Sequence, residues 1–96
     1  MNLRQIEIFR AVMITGSISG ASKLLFVSQP AVSRLLSHTE LRMGLKLFER
    51  VKGRLYSTPE ARSLFKEVEK IYDNIQRVNA LAVSYTHLTL PTKRIV

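Results

Sequence analysis

The sequence has no cysteine and few acids: seven Asp and Glu stand against fifteen Lys and Arg, a formal charge of +8 over 96 residues. Without cysteine there is no disulfide framework, no thiolate zinc site and no cysteine nucleophile. No apolar run approaches the ~20 residues that a membrane span needs. The first residues, Met1-Asn2-Leu3-Arg4-Gln5, are too polar for a signal peptide, so a cytoplasmic protein is expected. No internal repeat is visible. His38 and His87 have no second ligand at metal spacing, and no nucleophile is ordered beside a base. Neither an enzyme nor a metal or cofactor site is therefore expected.

The length fits one small domain plus one extension, and a core this small gains from a partner chain. Hydrophobic residues make up 46% of the sequence, too many for a disordered tail. The basic excess points to a polyanion, either nucleic acid or an anionic membrane surface.

Periodicity predicts a mainly helical fold. Leu3, Ile6, Phe9 and Met13 mark a first helix from Leu3 to Ile14, ended by Gly16. Ser19 can cap a short second helix, Gly20 to Phe26, with Ala21, Leu24 and Leu25 inward. Ala21 is small, as the crossing of two tightly joined helices requires. After a turn at Phe26-Val27, Ser28 caps a third helix with Pro30 in its first turn, where the missing N–H costs nothing. This helix runs to about Met43 on Val32, Leu35, Leu36, Thr39 and Met43, and Gly44 stops it. Leu47 to Arg50 and Leu55 to Thr58 are expected as two strands, joined through Val51-Lys52-Gly53-Arg54.

Thr58 caps a last helix with Pro59 at its first position. Leu64, Val68, Ile71, Ile75, Val78 and Ala82 alternate by four and three, which is a heptad seam, and Ala61, Phe65 and Tyr72 widen it. At 1.5 Å per residue the helix would exceed ~30 Å, too long to bury its stripe on so small a domain, so a homodimer is expected. After Ala82 the helical period is lost and threonine and other β-formers dominate. This break suggests residues foreign to the gene, such as translated adaptor or vector sequence, or a poorly ordered terminus.

Residues 1–58 thus carry three helices and two short strands, residues 59–82 a long helix suited to dimerisation, and residues 83–96 an atypical tail.

The ordered runs Arg4-Gln5-Ile6-Glu7-Ile8-Phe9, Gly16-Ser17-Ile18-Ser19-Gly20-Ala21-Ser22, Ser28-Gln29-Pro30-Ala31-Val32-Ser33-Arg34 and Gly44-Leu45-Lys46-Leu47-Phe48-Glu49-Arg50 resemble the N-terminal domain of LysR-type transcriptional regulators. The match extends from Met1 to about Ala82. The segments Val51 to Leu55 and Thr58 to Ala61 look most like members that control opine and amino-acid catabolism. The resemblance implies a winged helix-turn-helix, a dimerising linker helix and pseudo-palindromic promoter sites. It also implies that a full member carries a C-terminal α/β domain, absent from these residues, which binds a small inducer and sets a tetramer. Ser22, Thr39 and Arg62 depart from the usual Ala, Leu and Gly of the family, away from the DNA-facing positions.

Major-groove readout needs short polar or forked side chains in the first turns of a helix. Gln29 can pair with an adenine edge. Ser33 can reach a base or phosphate. Pro30 and Ala31 can meet a thymine methyl, and Arg34 can fork onto guanine or clamp a phosphate. N–H groups near Ser28 can hold a phosphate. Taken singly, Gln29 is equally an ordinary first-turn residue and Arg34 a solvated charge. The surrounding pattern favours contact. Lys52 and Arg54 flank Gly53 on the wing, and an arginine there suits a narrow minor groove. Lys46 and Arg50 lie near enough to neutralise phosphates. From Arg34 to Arg54 there are six basic residues (34, 42, 46, 50, 52, 54) and two acidic ones (40, 49), so the charge excess gathers at the reading head.

Double-stranded DNA is therefore the expected partner. A protein-interaction module working through the heptad helix is the alternative. A basic membrane-surface helix fits less well, because Glu60, Glu67, Glu69 and Asp73 offset the basic residues of the last helix.

Overall fold

The computed structural model describes the backbone of residues 1–95 and the side chains of residues 1–85. Three helices come first: α1 (Leu3–Thr15), α2 (Ile18–Leu25) and α3 (Gln29–Met43). A hairpin of β1 (Phe48–Val51) and β2 (Arg54–Ser57) follows, and then α4 (Pro59–Ile95). This is the expected winged helix-turn-helix followed by a long helix.

Each of the first three helices starts on a polar cap. Asn2 and Gln5 form a reciprocal capping box at α1, each side chain accepting the other's backbone N–H at 2.8 Å. Ser17 caps α2 through the Gly20 N–H at 2.8 Å, two residues before the expected Ser19. The helix starts early because the turn after Gly16 leaves Ser17 extended, with its oxygen one turn below that N–H. Ser28 caps α3 as expected, accepting from the Ala31 N–H at 3.2 Å.

The core is built from the inward faces of all the helices. Ile8, Phe9, Ala11 and Val12 of α1 meet Ala21 of α2, Val32 and Leu36 of α3, Leu47, Phe48, and Ala61 and Val68 of α4. Phe9 and Phe48 pack at a tilt, with ring centres 6.0 Å apart. The α1 stripe is rotated from its expected phase. Ile8 and Val12 are buried beside Phe9, whereas Leu3 is exposed and Ile6 and Met13 are partly buried. On α2 Leu24 is exposed and Ser22 takes the inward place, its hydroxyl satisfied by donating to the Ser19 carbonyl at 3.0 Å. Buried Thr39 likewise donates to the Leu35 carbonyl at 2.7 Å. These bonds within their own helices make the two polar side chains tolerable in a core.

The hairpin lies one residue away from expectation at both strands. Val51 pairs with Arg54, leaving only Lys52 and Gly53 in the turn. Both have positive φ, 52° and 77°, the left-handed pair of a type I′ turn that matches the twist of the strands. The hairpin is tied to both neighbours. Glu40 Oε2 of α3 accepts the N–H groups of Leu47 at 2.7 Å and Phe48 at 3.1 Å. Thr58 accepts from the Ala61 N–H at 3.1 Å, capping α4, and donates to the Lys46 carbonyl at 2.8 Å. Arg62 donates to the Ser57 carbonyl at 2.7 Å.

Two expectations for the last helix need correction. It does not end at Ala82: α4 continues to Ile95, so a helical backbone replaces the expected break. From Val83 to Leu90 neither glycine nor proline interrupts the chain, and extending a formed helix costs far less than nucleating one. The side chains of residues 86–96, including His87, lie outside the described residues. Nor is the heptad seam free along its whole length. Val68 is buried in the domain's own core and Leu64 is half-buried against it, while Ile71, Ile75, Val78 and Ala82 are exposed. Among the described residues no helix is long and apolar enough to cross a membrane.

Candidate nucleic-acid interface

The helix α3 buries Val32, Leu36 and Thr39. Its outward face follows from that and from the helical repeat. Pro30, Arg34, Ser37 and Leu41 are exposed on the far side. Gln29 and Ser33 lean from this ridge toward the wing, and Ala31 and His38 lean toward α1.

The structure brings four of the expected DNA-contacting residues into one cleft. Gln29 and Ser33 of α3 face Arg50, Arg54 and Tyr56 of the hairpin across it, with residues 16–19 at its end. A second cleft extends this surface, joining Ser33 and Ser37 to Lys46, Glu40 and Arg50. The wing thus lies beside α3. Gln29, Arg34, Lys46, Arg50 and Arg54 are all exposed, and among the described residues none of their side chains is held in an ion pair.

The remaining expected residues are distributed differently. Ser28 uses its oxygen on the Ala31 N–H as the cap of α3 and is exposed at its start. Ala31 does not join Gln29. It lines an apolar groove on the opposite flank with Ile8, Val27, Leu35 and the basic Arg4, Arg34 and His38. Ala31 is two residues beyond Gln29, and two residues along a helix turn the side chain by ~200°, which separates the two. Pro30 sits exposed on the ridge between the flanks, and Lys52 is exposed on the wing tip.

Sequence reasoning missed the part of the cleft made by residues 16–19 and by Tyr56. Tyr56 carries a readable signal: it is two residues from Arg54 on one strand and so shares its face. The place of residues 16–19 depends on how α2 crosses α3, which no local pattern encodes.

A model of bacterial regulatory helix-turn-helix proteins of the lysR family matches residues 3–62. The chain belongs to this family. The HTH-type transcriptional regulator DgcR of Pseudoalteromonas sp is 56% identical over 82 residues, which cover 85% of this chain and 28% of that protein. The octopine catabolism/uptake operon regulatory protein OccR of Rhizobium meliloti is 41% identical over 95 residues, 99% of this chain and 32% of that protein. This lysR-family chain therefore spans about a third or less of the length of these relatives. The fold is similar to that of the crystal structure of a BenM_DBD/benA site 1 DNA complex. The TM-score is 0.78 at 27% identity, over 90% of this chain and 97% of that one. This is a lysR-family helix-turn-helix domain, and its relatives are transcriptional regulators.

Proposed function

We propose that this lysR-family domain reads a two-part DNA site as a homodimer, with α3 in the major groove of each half-site and the wing at the neighbouring minor groove. The cleft shared by Gln29, Ser33, Arg50 and Arg54 carries the proposal. Gln29 and Arg34 read base edges, Ser33 reaches a base or phosphate, and Pro30 meets a thymine methyl. Ser28, Lys46 and Arg50 hold phosphates, while Arg54 enters the minor groove and Lys52 follows it. Ala31, on the α1 flank, serves the rim of this surface rather than its centre. Binding takes place in the cytoplasm.

The exposed Ile71, Ile75, Val78 and Ala82 pair two copies and hold their reading helices at a set separation. In a longer form matching the length of the relatives, an inducer-binding domain would regulate this reading and build a tetramer.

Selection from random duplexes, followed by a salt titration, tests the reading. The expected result is an inverted-repeat consensus whose affinity falls ~10³-fold or more between 50 and 200 mM salt, as several phosphate contacts require. Binding indifferent to both sequence and salt would overturn it and leave a protein-interaction module.

A further inference from the structure

Arg10 lies on α1, and its guanidinium grips α4 in two ways at once. Its Nε donates to Glu69 Oε1 at 2.7 Å, and its Cζ sits 4.2 Å from the centre of the Tyr72 ring. Glu69 and Tyr72 are three residues apart on α4 and so project from the same side. The Arg10 and Glu69 side chains keep only 27% and 37% of their exposure, so the pair is partly withdrawn from solvent. The planar guanidinium suits both partners, bonding in its plane and stacking on its face, which an ammonium cannot reproduce.

The position of this grip along α4 gives it leverage. Ala61 and Val68 are buried in the core, and Leu64 and Phe65 pack against it. From Asp73 to Tyr85 every described side chain is exposed. Among the described residues, α4 is exposed on every side beyond the contact of Arg10 with Glu69 and Tyr72, so this contact stands where the helix leaves the reading domain. The thirteen residues from Asp73 to Tyr85 make an arm of about 20 Å. A tilt of ~10° about the grip moves the end of that arm by ~3.5 Å, about the rise of one base pair.

We propose that Arg10 is a positioning residue for DNA-site spacing: by clamping Glu69 and Tyr72 it sets the angle of α4 to the reading domain, and so the distance between half-sites that the dimer accepts. The inference rests on the dimeric reading above. Arg10 touches no DNA in this scheme, and it acts through the direction of the arm.

The test uses the full chain and a duplex library in which two fixed half-sites are separated by spacers of every length. Wild type is compared with Arg10→Ala, Glu69→Gln, Tyr72→Leu and the swap Arg10→Glu with Glu69→Arg. Sedimentation reads dimerisation and anisotropy reads affinity for a single half-site. The expected result is an intact dimer with unchanged single-site affinity in the single variants. Their discrimination against spacers one base pair too long or too short falls about tenfold, the combined scale of a partly buried ion pair and a cation–π contact. The swap restores part of the discrimination. A dimer whose spacing preference is untouched by Arg10→Ala overturns the clamp alone, as does an equal loss on single and paired sites. A wild-type chain that binds as a monomer overturns the dimeric reading and the clamp with it.

Discussion

Glu40 is an acid on a surface that otherwise collects bases, and its bonds explain its place there. One carboxylate oxygen accepts two backbone N–H groups at the entrance to the hairpin, so the side chain fixes the wing to the reading helix. Charge-assisted bonds of this kind are worth more than neutral ones, and two part-buried donors would lose their partner without it. Glu40→Ala is expected to cost ~2–3 kcal/mol, lowering the melting temperature by ~10 °C or more, whereas Glu40→Gln keeps an acceptor and costs less than half as much. Thermal melts of the two variants check this, and equal losses would contradict it. The proposed DNA contacts Gln29 and Arg34 are instead exposed on α3, and neither supports the core. Replacing either with alanine is expected to weaken specific binding by ~1–3 kcal/mol with an unchanged melting temperature. Gel-shift titrations on specific and scrambled duplexes measure it, and unchanged specificity in both variants would remove these residues from the readout.

At the scale of elements, caps and turns decide which parts of the fold were legible in the sequence. Ser28 and Pro30, Gly44, and Thr58 with Pro59 act through bonds only a few residues long, and the structure uses them as their order implies. Ser17 and Ser19 are both good caps two residues apart, and the geometry left by Gly16 chose the first. The α1 stripe was misphased because Leu3, Ile6, Ile8, Phe9 and Val12 offer several apolar faces, and only contact with α3 and α4 selects one. In the candidate cleft Gln29, Ser33, Arg50 and Arg54 were legible, since each follows from a local motif, but the contribution of Tyr56 and of residues 16–19 was missed. The hairpin shifted by a residue because its tight turn needs two positive-φ positions, which Lys52 and Gly53 supply. A β-branched residue resists that conformation. Gly53→Val is therefore expected to destabilise the wing by ~1–2 kcal/mol and to abolish minor-groove protection by the wing, leaving protection by α3 in place. Lys52→Asn, which gives the favoured Asn-Gly pair, is expected to retain both. Footprinting decides, and full wing protection by Gly53→Val would show that the turn tolerates a different geometry.

At the scale of the molecule, α4 serves two surfaces in succession. Its first turns complete the small core through Ala61 and Val68, and its later turns leave Ile71, Ile75 and Val78 exposed, at 41%, 42% and 63%. The heptad spacing was legible in the sequence, but the point at which the stripe passes from one surface to the other was not, because it depends on where α1 ends its contact with α4. The division makes the proposed dimer separable from the fold. Ile71→Glu with Ile75→Glu places four like charges at the paired surface of a dimer and touches no buried core residue. The expected product is a folded monomer by sedimentation, with helix content and single half-site affinity unchanged. Affinity for the paired site should fall by ~10²-fold or more, since linking two reading heads raises avidity by that order without any new contact to DNA. A variant that still sediments as a dimer would place the contact elsewhere on the molecule. A monomer that kept full affinity for the paired site would mean that each domain reads DNA independently of its partner.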